Sequence, residues 1–178
     1  MREAIQQQVD EKFPEFLPFC QEIVRTPSLA GQEQAVQEMI AARLQSMGLQ
    51  VDVLKSEKEQ LQNHPAFCDD GVSFEDRRNI IGRWQGTGGG KSLVLNGHVD
   101  VVATGEPDLW KHNPWSGVIE GEKLYGRGAC DMKCGLATGI FAIQILQSLE
   151  WTPRGDVILE SVIGEESGGV GTLTTIVN

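Results

Sequence analysis

The chain has 178 residues, 40% of them hydrophobic, and its 25 acidic and 15 basic side chains give a formal charge of −10. This apolar content is enough to bury a core, which excludes collagen-like, disulfide-dense and intrinsically disordered proteins. The acidic balance argues against nucleic acid or an anionic membrane as the main partner, because both attract basic surfaces.

The N-terminus and the cysteines favour a cytoplasmic protein with reduced thiols. Residues 1–9 are polar and Gln-rich, unlike a signal peptide. No window approaches 18 consecutive apolar residues, so no membrane-spanning helix is expected. The four cysteines are irregularly spaced, and Cys130 and Cys134 have no second pair with which to close a structural zinc site. We interpret these two cysteines as small packing residues.

Two helices are predicted at the start of the chain. Apolar residues recur at three- and four-residue spacings over residues 1–26, which predicts a helix that Pro14 and Pro18 break or bend. A single apolar stripe over residues 32–47 predicts a second helix, and Gly48 fits its C-terminal stop.

The middle of the chain predicts strands separated by loops. Residues 50–54 alternate as a short strand, and residues 55–78 are charged and polar, which predicts a long surface loop. Residues 79–84 and 92–97 have the composition of strands. The glycine-rich run 86–90 between them lacks the spacing of a phosphate-binding loop and leads into a strand, so we predict a hairpin turn.

The last third of the chain predicts a strand between two helices. A glycine-rich turn over residues 125–134 runs into a helix over 132–149. Residues 156–163 form an apolar run typical of a strand covered on both faces, and residues 170–177 begin another helix. Strands that alternate with helices predict an α/β fold with a central sheet flanked by helices.

Three polar motifs are candidates for chemistry. His98 and Asp100 follow an apolar strand, and their spacing places both side chains on one side of an extended chain. The imidazole can then ligate a metal while the carboxylate orients it, although a polar strand end is the simpler reading. Asp131 lies at a glycine-rich helix start, where it either caps the helix or bridges two metal ions.

The third motif is a pair of adjacent glutamates, Glu165 and Glu166, after the apolar strand. Adjacent carboxylates repel each other unless a cation is present, although a solvated acidic loop near a helix N-terminus is the alternative. One glutamate can bind metal while its neighbour acts as a general base. Because α/β sheets place ligands at strand ends, the three motifs together favour a functional site.

The segments NGHVDVV, YGRGACDMKCGLA and IGEESGG occur in this order, roughly 33 residues apart. They resemble the three signature blocks of the M20 metallopeptidase/amidohydrolase family, in particular its acetylornithine deacetylase and succinyl-diaminopimelate desuccinylase branch. The resemblance covers most of the chain. It implies that residues 1–178 are the N-terminal part of a zinc-peptidase-like catalytic domain, without the lid or dimerisation domain and without the C-terminal catalytic part.

The resemblance also implies a role for each candidate residue. His98 is a terminal ligand of one zinc ion, and Asp100 orients and polarises it. Asp131 bridges two zinc ions, and in the family the peptide bond after this residue is often cis. Glu165 is the general base that takes a proton from the zinc-bridging water. Glu166 is a terminal ligand of the second zinc, and cobalt or manganese are alternatives to zinc.

The implied activity is hydrolysis of the amide bond of N-acyl amino acids or short peptides by a dizinc-activated water. An aminopeptidase or dipeptidase is one alternative. A truncated, non-catalytic binding module is another, because the family's further acidic ligand and second ligand histidine fall beyond residue 178. His64 and His112 do not replace them, and Trp110 and Trp115 pack or border substrate. The 178 residues alone are therefore expected to be inactive, and homodimerisation of the full-length protein stays open.

Overall fold

A computed structural model describes all 178 residues. In chain order the helices and strands are α1 (Arg2–Arg25), α2 (Gln34–Ser46), β1 (Gln50–Lys55), α3 (Lys58–Leu61), β2 (Arg78–Trp84), β3 (Leu93–His98), β4 (Val118–Glu120), β5 (Lys123–Tyr125), α4 (Cys134–Ser148), β6 (Val157–Val162) and α5 (Val170–Val177). A short 3₁₀ turn, Pro107–Leu109, precedes β4, and a wide helical turn, Ala129–Lys133, leads into α4.

Four strands form a mixed sheet in the order β1-β2-β6-β3. β2 is antiparallel to both β1 and β6, and β3 is parallel to β6. The apolar β6 therefore lies inside the sheet, with a neighbouring strand on each edge. β4 and β5 form a separate two-stranded antiparallel sheet. The predicted α/β fold with a helix-flanked sheet is confirmed.

The predicted hairpin between β2 and β3 is wrong. These strands are not neighbours, because β6 lies between them. The glycine-rich run instead packs against the loop that precedes β6. Gly88 donates a backbone hydrogen bond to the carbonyl of Arg154, and a Cβ at Gly86 or Gly90 would lie 2.6 Å from the backbone of Gly155. The glycines thus permit close contact between two loops rather than a tight turn.

The prolines do not break α1, which is one continuous helix of 24 residues. Pro14 and Pro18 are four residues apart and exposed, so the hydrogen bonds that they remove lie on the solvent side of the helix, where the free carbonyls are open to water. The opposite face is held by packing against α4, including Phe16 stacked on Phe141 with ring centroids 4.3 Å apart. Tertiary packing therefore outweighs the local cost of the prolines.

Helices cover both faces of the sheet. Leu44 of α2 lies against Gly82 of β2, and Leu159 of β6 lies against Gly139 of α4. On the opposite face, Thr175 of α5 donates a hydrogen bond to Glu160. The core between these layers consists mainly of aliphatic side chains from the sheet and the four longer helices.

By length and composition, the stretch Ala129–Ser148 is apolar enough to cross a membrane. Asp131 and Met132 within it are non-helical, however, so the regular helix α4 has only 15 residues. A membrane span needs about 20. The apolar residues of α4, among them Leu136, Ile140 and Ile143, are buried in the core. This stretch is therefore a core helix of the fold.

The predicted surface loop between β1 and β2 is only partly a surface feature. It contains the short helix α3, and Leu61 and Arg77 are completely or almost completely buried. The polar composition of this segment does not reveal the burial of these side chains, because a buried arginine paired with carboxylates has the same sequence pattern as a solvated loop.

Candidate metal centre

The candidate residues meet at the carboxyl ends of two adjacent strands. His98 ends β3 and is in register with Val162, the last residue of β6. Glu165 follows in the turn after β6. Because parallel neighbours end at the same edge of a sheet, His98 Nε2 and Glu165 Oε2 come within 3.6 Å.

Asp131 reaches the same edge from the turn that leads into α4. Its Oδ1 atom lies 3.1 Å from His98 Nε2. The ligand atoms of His98, Asp131 and Glu166 all lie within 4.8 Å of one another. The imidazole is only 4% exposed, whereas the Asp131 side chain is 76% exposed. The structure thus brings the three residues predicted as metal ligands together in a cluster that opens to solvent on its carboxylate side.

Asp131 is not a helix cap, so the simpler reading of this residue is wrong. Its backbone is extended, with φ −129° and ψ 105°, and the N-cap position of α4 is Lys133. The Asp131–Met132 peptide bond is cis, as the family resemblance implies. The turn is anchored by Lys133, whose buried ammonium group donates hydrogen bonds to the backbone carbonyls of Ile23 and Thr26 at the end of α1.

Asp100 connects the imidazole to the turn that carries the glutamates. Its side chain is fully buried. One carboxylate oxygen accepts a hydrogen bond from the backbone N–H of Glu165 at 3.2 Å, and the other accepts one from Glu166 at 3.0 Å. The first of these oxygens also lies 3.6 Å from His98 Nδ1. Asp100 therefore contacts both the imidazole of His98 and the backbone of the turn that carries the glutamates.

The donor set fits a divalent cation. His98 Nδ1 lies 3.0 Å from the backbone carbonyl oxygen of Asp100, which can only accept, so Nδ1 carries a hydrogen and Nε2 is the nitrogen that faces Asp131. A lone pair and a carboxylate oxygen at this separation repel unless a proton or a cation lies between them. One imidazole nitrogen and two carboxylate oxygens are ligands that zinc prefers and that cobalt and manganese also accept.

The two glutamates differ in their electrostatic surroundings. Burial raises the pKa of Glu166, the nearby His98 lowers it, and the negative charges of Asp131, Asp100 and Glu165 raise it again, so that the net shift is upward. The side chain of Glu165 is 54% exposed. A cation beside Glu166 would relieve this accumulation of negative charge.

Glycines shape the turn that carries the glutamates. Gly164 and Gly169, at either end of it, have φ values of +69° and +76°. A Cβ at Gly164 would also lie 2.6 Å from the guanidinium of Arg77. The left-handed backbone and this close approach both require glycine at position 164.

Several polar residues that the sequence interpretation named lie outside the cluster. His64 is in the segment between β1 and β2, and His112 packs edge-on against Tyr125. Trp110 and Trp115 lie beside the side chains of Arg127 and Lys133, with the cations 5.2 and 5.8 Å from the ring centroids. All four cysteines are free, although Cys130 is exposed rather than packed.

Three residues that support the glutamate turn are not predicted from the sequence. They are Ser167, which lies in the turn, Asp70, which accepts its hydrogen bond, and Arg77, which binds Asp70. Nothing in the local pattern marks Asp70 and Arg77, because they lie in a charged segment with no periodicity. Ser167 is part of the third motif, but its hydroxyl partner is 97 residues away. Only the folded chain shows the connection.

The sequence of the chain is similar to those of known proteins. Residues 94–177 match the model of peptidase family M20/M25/M40. The chain is 33% identical over 175 residues to N-formyl-4-amino-5-aminomethyl-2-methylpyrimidine deformylase of Bacillus subtilis, covering 96% of this chain and 37% of that protein. It is 34% identical over 155 residues to succinyl-diaminopimelate desuccinylase of Methylobacterium sp. (strain 4-46), covering 87% and 35%. The chain thus spans little more than a third of the length of these relatives.

Solved structures share the fold. Human carnosine dipeptidase 1 superposes with a TM-score of 0.79 at 24% identity, over 99% of this chain and 37% of that one. The metallo-carboxypeptidase Sso-CP2 of Sulfolobus solfataricus superposes with a TM-score of 0.74 at 21% identity, over 91% and 33%. The three motifs all lie within the residues that match the family model, and this leads to one conclusion: residues 94–177 of the chain are part of a peptidase family M20/M25/M40 domain.

Proposed function

We propose that residues 1–178 are the N-terminal part of the catalytic domain of a metal-dependent amide hydrolase that removes acyl groups from small N-acyl amino acids. The complete site would hold two zinc ions, and His98, Asp131 and Glu166 supply three of their ligands. The observation that carries the proposal is the convergence of these ligand atoms within 4.8 Å, with the Glu165 carboxylate beside them.

The relatives support this choice of reaction. The two compared above are named as a deformylase and a desuccinylase, and both names describe removal of an acyl group. Their sequence identity to this chain exceeds that of the peptidases among the compared structures. Acyl-amide hydrolysis is therefore favoured over peptide cleavage.

Each residue of the site has its own task in this reaction. When bound, the metal polarises the substrate carbonyl and lowers the pKa of the attacking water. Glu165 accepts a proton from that water on its exposed carboxylate and passes it to the departing amine nitrogen. Asp100 holds the imidazole through its own backbone carbonyl and holds both glutamates through their N–H groups.

Two other functions are compatible with the same residues. A dipeptidase would use the same ligands and the same base, since its specificity would lie in parts of the protein outside residues 1–178. A non-catalytic binding module would keep the fold but lack a complete ligand set. Cytoplasmic location and homodimer formation belong to the proposal as expectations.

The test is a metal analysis and substrate screen on the protein expressed from its complete coding sequence. N-formyl, N-acetyl and N-succinyl amino acids are assayed beside unmodified dipeptides, before and after chelation and after return of zinc, cobalt or manganese. We expect acyl-substrate hydrolysis that chelation abolishes and metal restores. Faster cleavage of dipeptides would favour the peptidase, and metal binding without any hydrolysis would favour the binding module.

A further inference from the structure

The segment between β1 and β2 contains a buried ion pair. Arg77 is 2% exposed, and its Nη1 atom donates a hydrogen bond to Asp70 Oδ2 at 2.6 Å. The Asp70 side chain is completely buried, and Glu33 Oε1 lies 3.6 Å from Arg77 Nη2 on the other side. Removal of one partner of a buried ion pair strongly destabilises a protein. The fold therefore depends on both Asp70 and Arg77.

The pair is connected to the turn that carries the glutamates. The Asp70 oxygen that binds Arg77 also accepts a hydrogen bond from the Ser167 hydroxyl at 2.9 Å. Ser167 is the residue directly after Glu166. Burial raises the pKa of Asp70, but hydrogen bonds from Arg77, the Val72 amide and Ser167 lower it further than burial raises it, so this acceptor stays ionised.

A second contact joins the same two parts of the chain. Gly168 lies so close to Cys68 that an added Cβ would be 3.2 Å from the Cys68 Cβ and backbone oxygen. On its other side the turn is held by Asp100, which accepts hydrogen bonds from the N–H groups of Glu165 and Glu166. The glutamates are thus held between a carboxylate at the end of β3 and a buried ion pair in the polar segment.

We propose that Asp70 and Arg77 are positioning residues, which fix the orientation of Glu165 and Glu166 through the hydroxyl of Ser167. We call the hydrogen bond from the Ser167 hydroxyl to Asp70 the tether. The inference rests on the proposed function, because it gives the tether a role in the hydrolytic step. The physical basis is that a general base and a metal ligand act only from well-defined positions. Both project from one short turn, so the turn has to be held by Asp100 on one side and by the Asp70–Arg77 pair on the other.

Ser167→Ala is the informative variant, because it cuts the tether and leaves the buried Asp70–Arg77 pair in place. Ser167→Thr keeps the hydroxyl. Ser73→Ala removes a hydroxyl from the same polar segment, where it contacts only the backbone of Glu75. Two measurements are made on the protein expressed from its complete coding sequence: amide hydrogen exchange at residues 165 and 166 without metal, and steady-state kinetics (kcat and KM) on the acyl substrate with metal.

We expect Ser167→Ala to speed exchange of both amides severalfold and to lower kcat about tenfold while KM changes little. Ser167→Thr is expected to restore most of both values, and Ser73→Ala to match the wild type. Unchanged exchange in Ser167→Ala would overturn the tether, and faster exchange with unchanged kcat would overturn its positioning role. If the wild type hydrolyses no substrate, the proposed function fails, while the exchange result still decides the tether.

Discussion

The Asp100 carboxylate accepts a hydrogen bond from the backbone N–H of Glu166 at 3.0 Å, across 66 residues of sequence. Its other oxygen accepts one from Glu165. The aspartate of the His-x-Asp motif therefore does more than orient the histidine: it sets the position of the backbone from which the candidate ligand and the candidate base project.

Asp100→Asn tests this double role. An amide has one acceptor oxygen, so its NH₂ group would face a backbone N–H and leave that buried donor unsatisfied, at a cost of about 1–3 kcal/mol. We expect a lower free energy of unfolding and a lower kcat, measured by denaturant unfolding and steady-state kinetics. Asp52→Asn on the exposed surface of β1 is the control, and equal unfolding midpoints for the two variants would contradict the prediction.

Glu165→Gln tests the candidate general base. The substitution keeps the size of the side chain and the backbone hydrogen bond to Asp100 but removes the proton acceptor. We expect kcat to fall by about 10²–10⁴-fold while the metal content stays near that of the wild type. Glu122→Gln, at an exposed position between β4 and β5, should have normal kinetics. Normal turnover in Glu165→Gln would remove this residue as the base.

His98→Ala tests the candidate ligand cluster. Loss of even an outer partner of a metal ligand costs about 10- to 100-fold in affinity, so loss of the imidazole itself should cost more than about 100-fold. The measurement is metal bound after dialysis against buffers of defined free zinc. His64→Ala is the matched control, because His64 is not part of the cluster and its ring only accepts a hydrogen bond from the Ala66 amide. Equal zinc affinity in both variants would argue against a metal centre at His98.

Arg77→Met tests the buried ion pair. The substitution leaves Asp70 and Glu33 buried without their cation, and removal of one partner of a buried pair costs about 3–5 kcal/mol. Arg78→Met is the control at the adjacent position, where the arginine is 43% exposed and pairs with Asp76. Chemical denaturation of the metal-free proteins should show a large loss of stability for the first variant and little change for the second. Similar curves would mean that the buried pair contributes nothing.

The pH dependence of stability provides a separate test of Asp70. Its pKa in the folded protein lies below the ordinary value of 3.8, because the hydrogen bonds from Arg77 and its other donors outweigh the effect of burial. A depressed carboxyl pKa stabilises the fold above the unfolded pKa, and this stabilisation is lost as the pH falls through the folded pKa. As the pH falls through 3.8 and further below it, the metal-free wild type should therefore lose more stability than Asp70→Asn. Parallel pH profiles would exclude this contribution.

Local sequence patterns were enough to predict most helices and strands and to single out the three polar motifs. The apolar stripe of α2, the apolar run of β6 and the glycine-flanked glutamates each carry their signal within a few residues. The resemblance of these motifs to one family predicts His98, Asp131 and Glu166 as ligands, and the fold brings the three side chains together. Their chemical roles stay predictions. The continuity of α1 through Pro14 and Pro18 could not be read locally, because it depends on packing against α4.

Strand order and the support of the site were decided only by the tertiary structure. The chain between β2 and β3 has the composition of a hairpin turn, but the edge of β2 pairs with β6, which lies more than 70 residues further along the sequence. Asp70, Arg77 and Ser167 form one hydrogen-bonded chain only after folding. The sequence by itself determined which residues are candidates for the chemistry, since that depends on residue type in short motifs. The fold determined what holds them in place, since those contacts join residues that are distant along the chain.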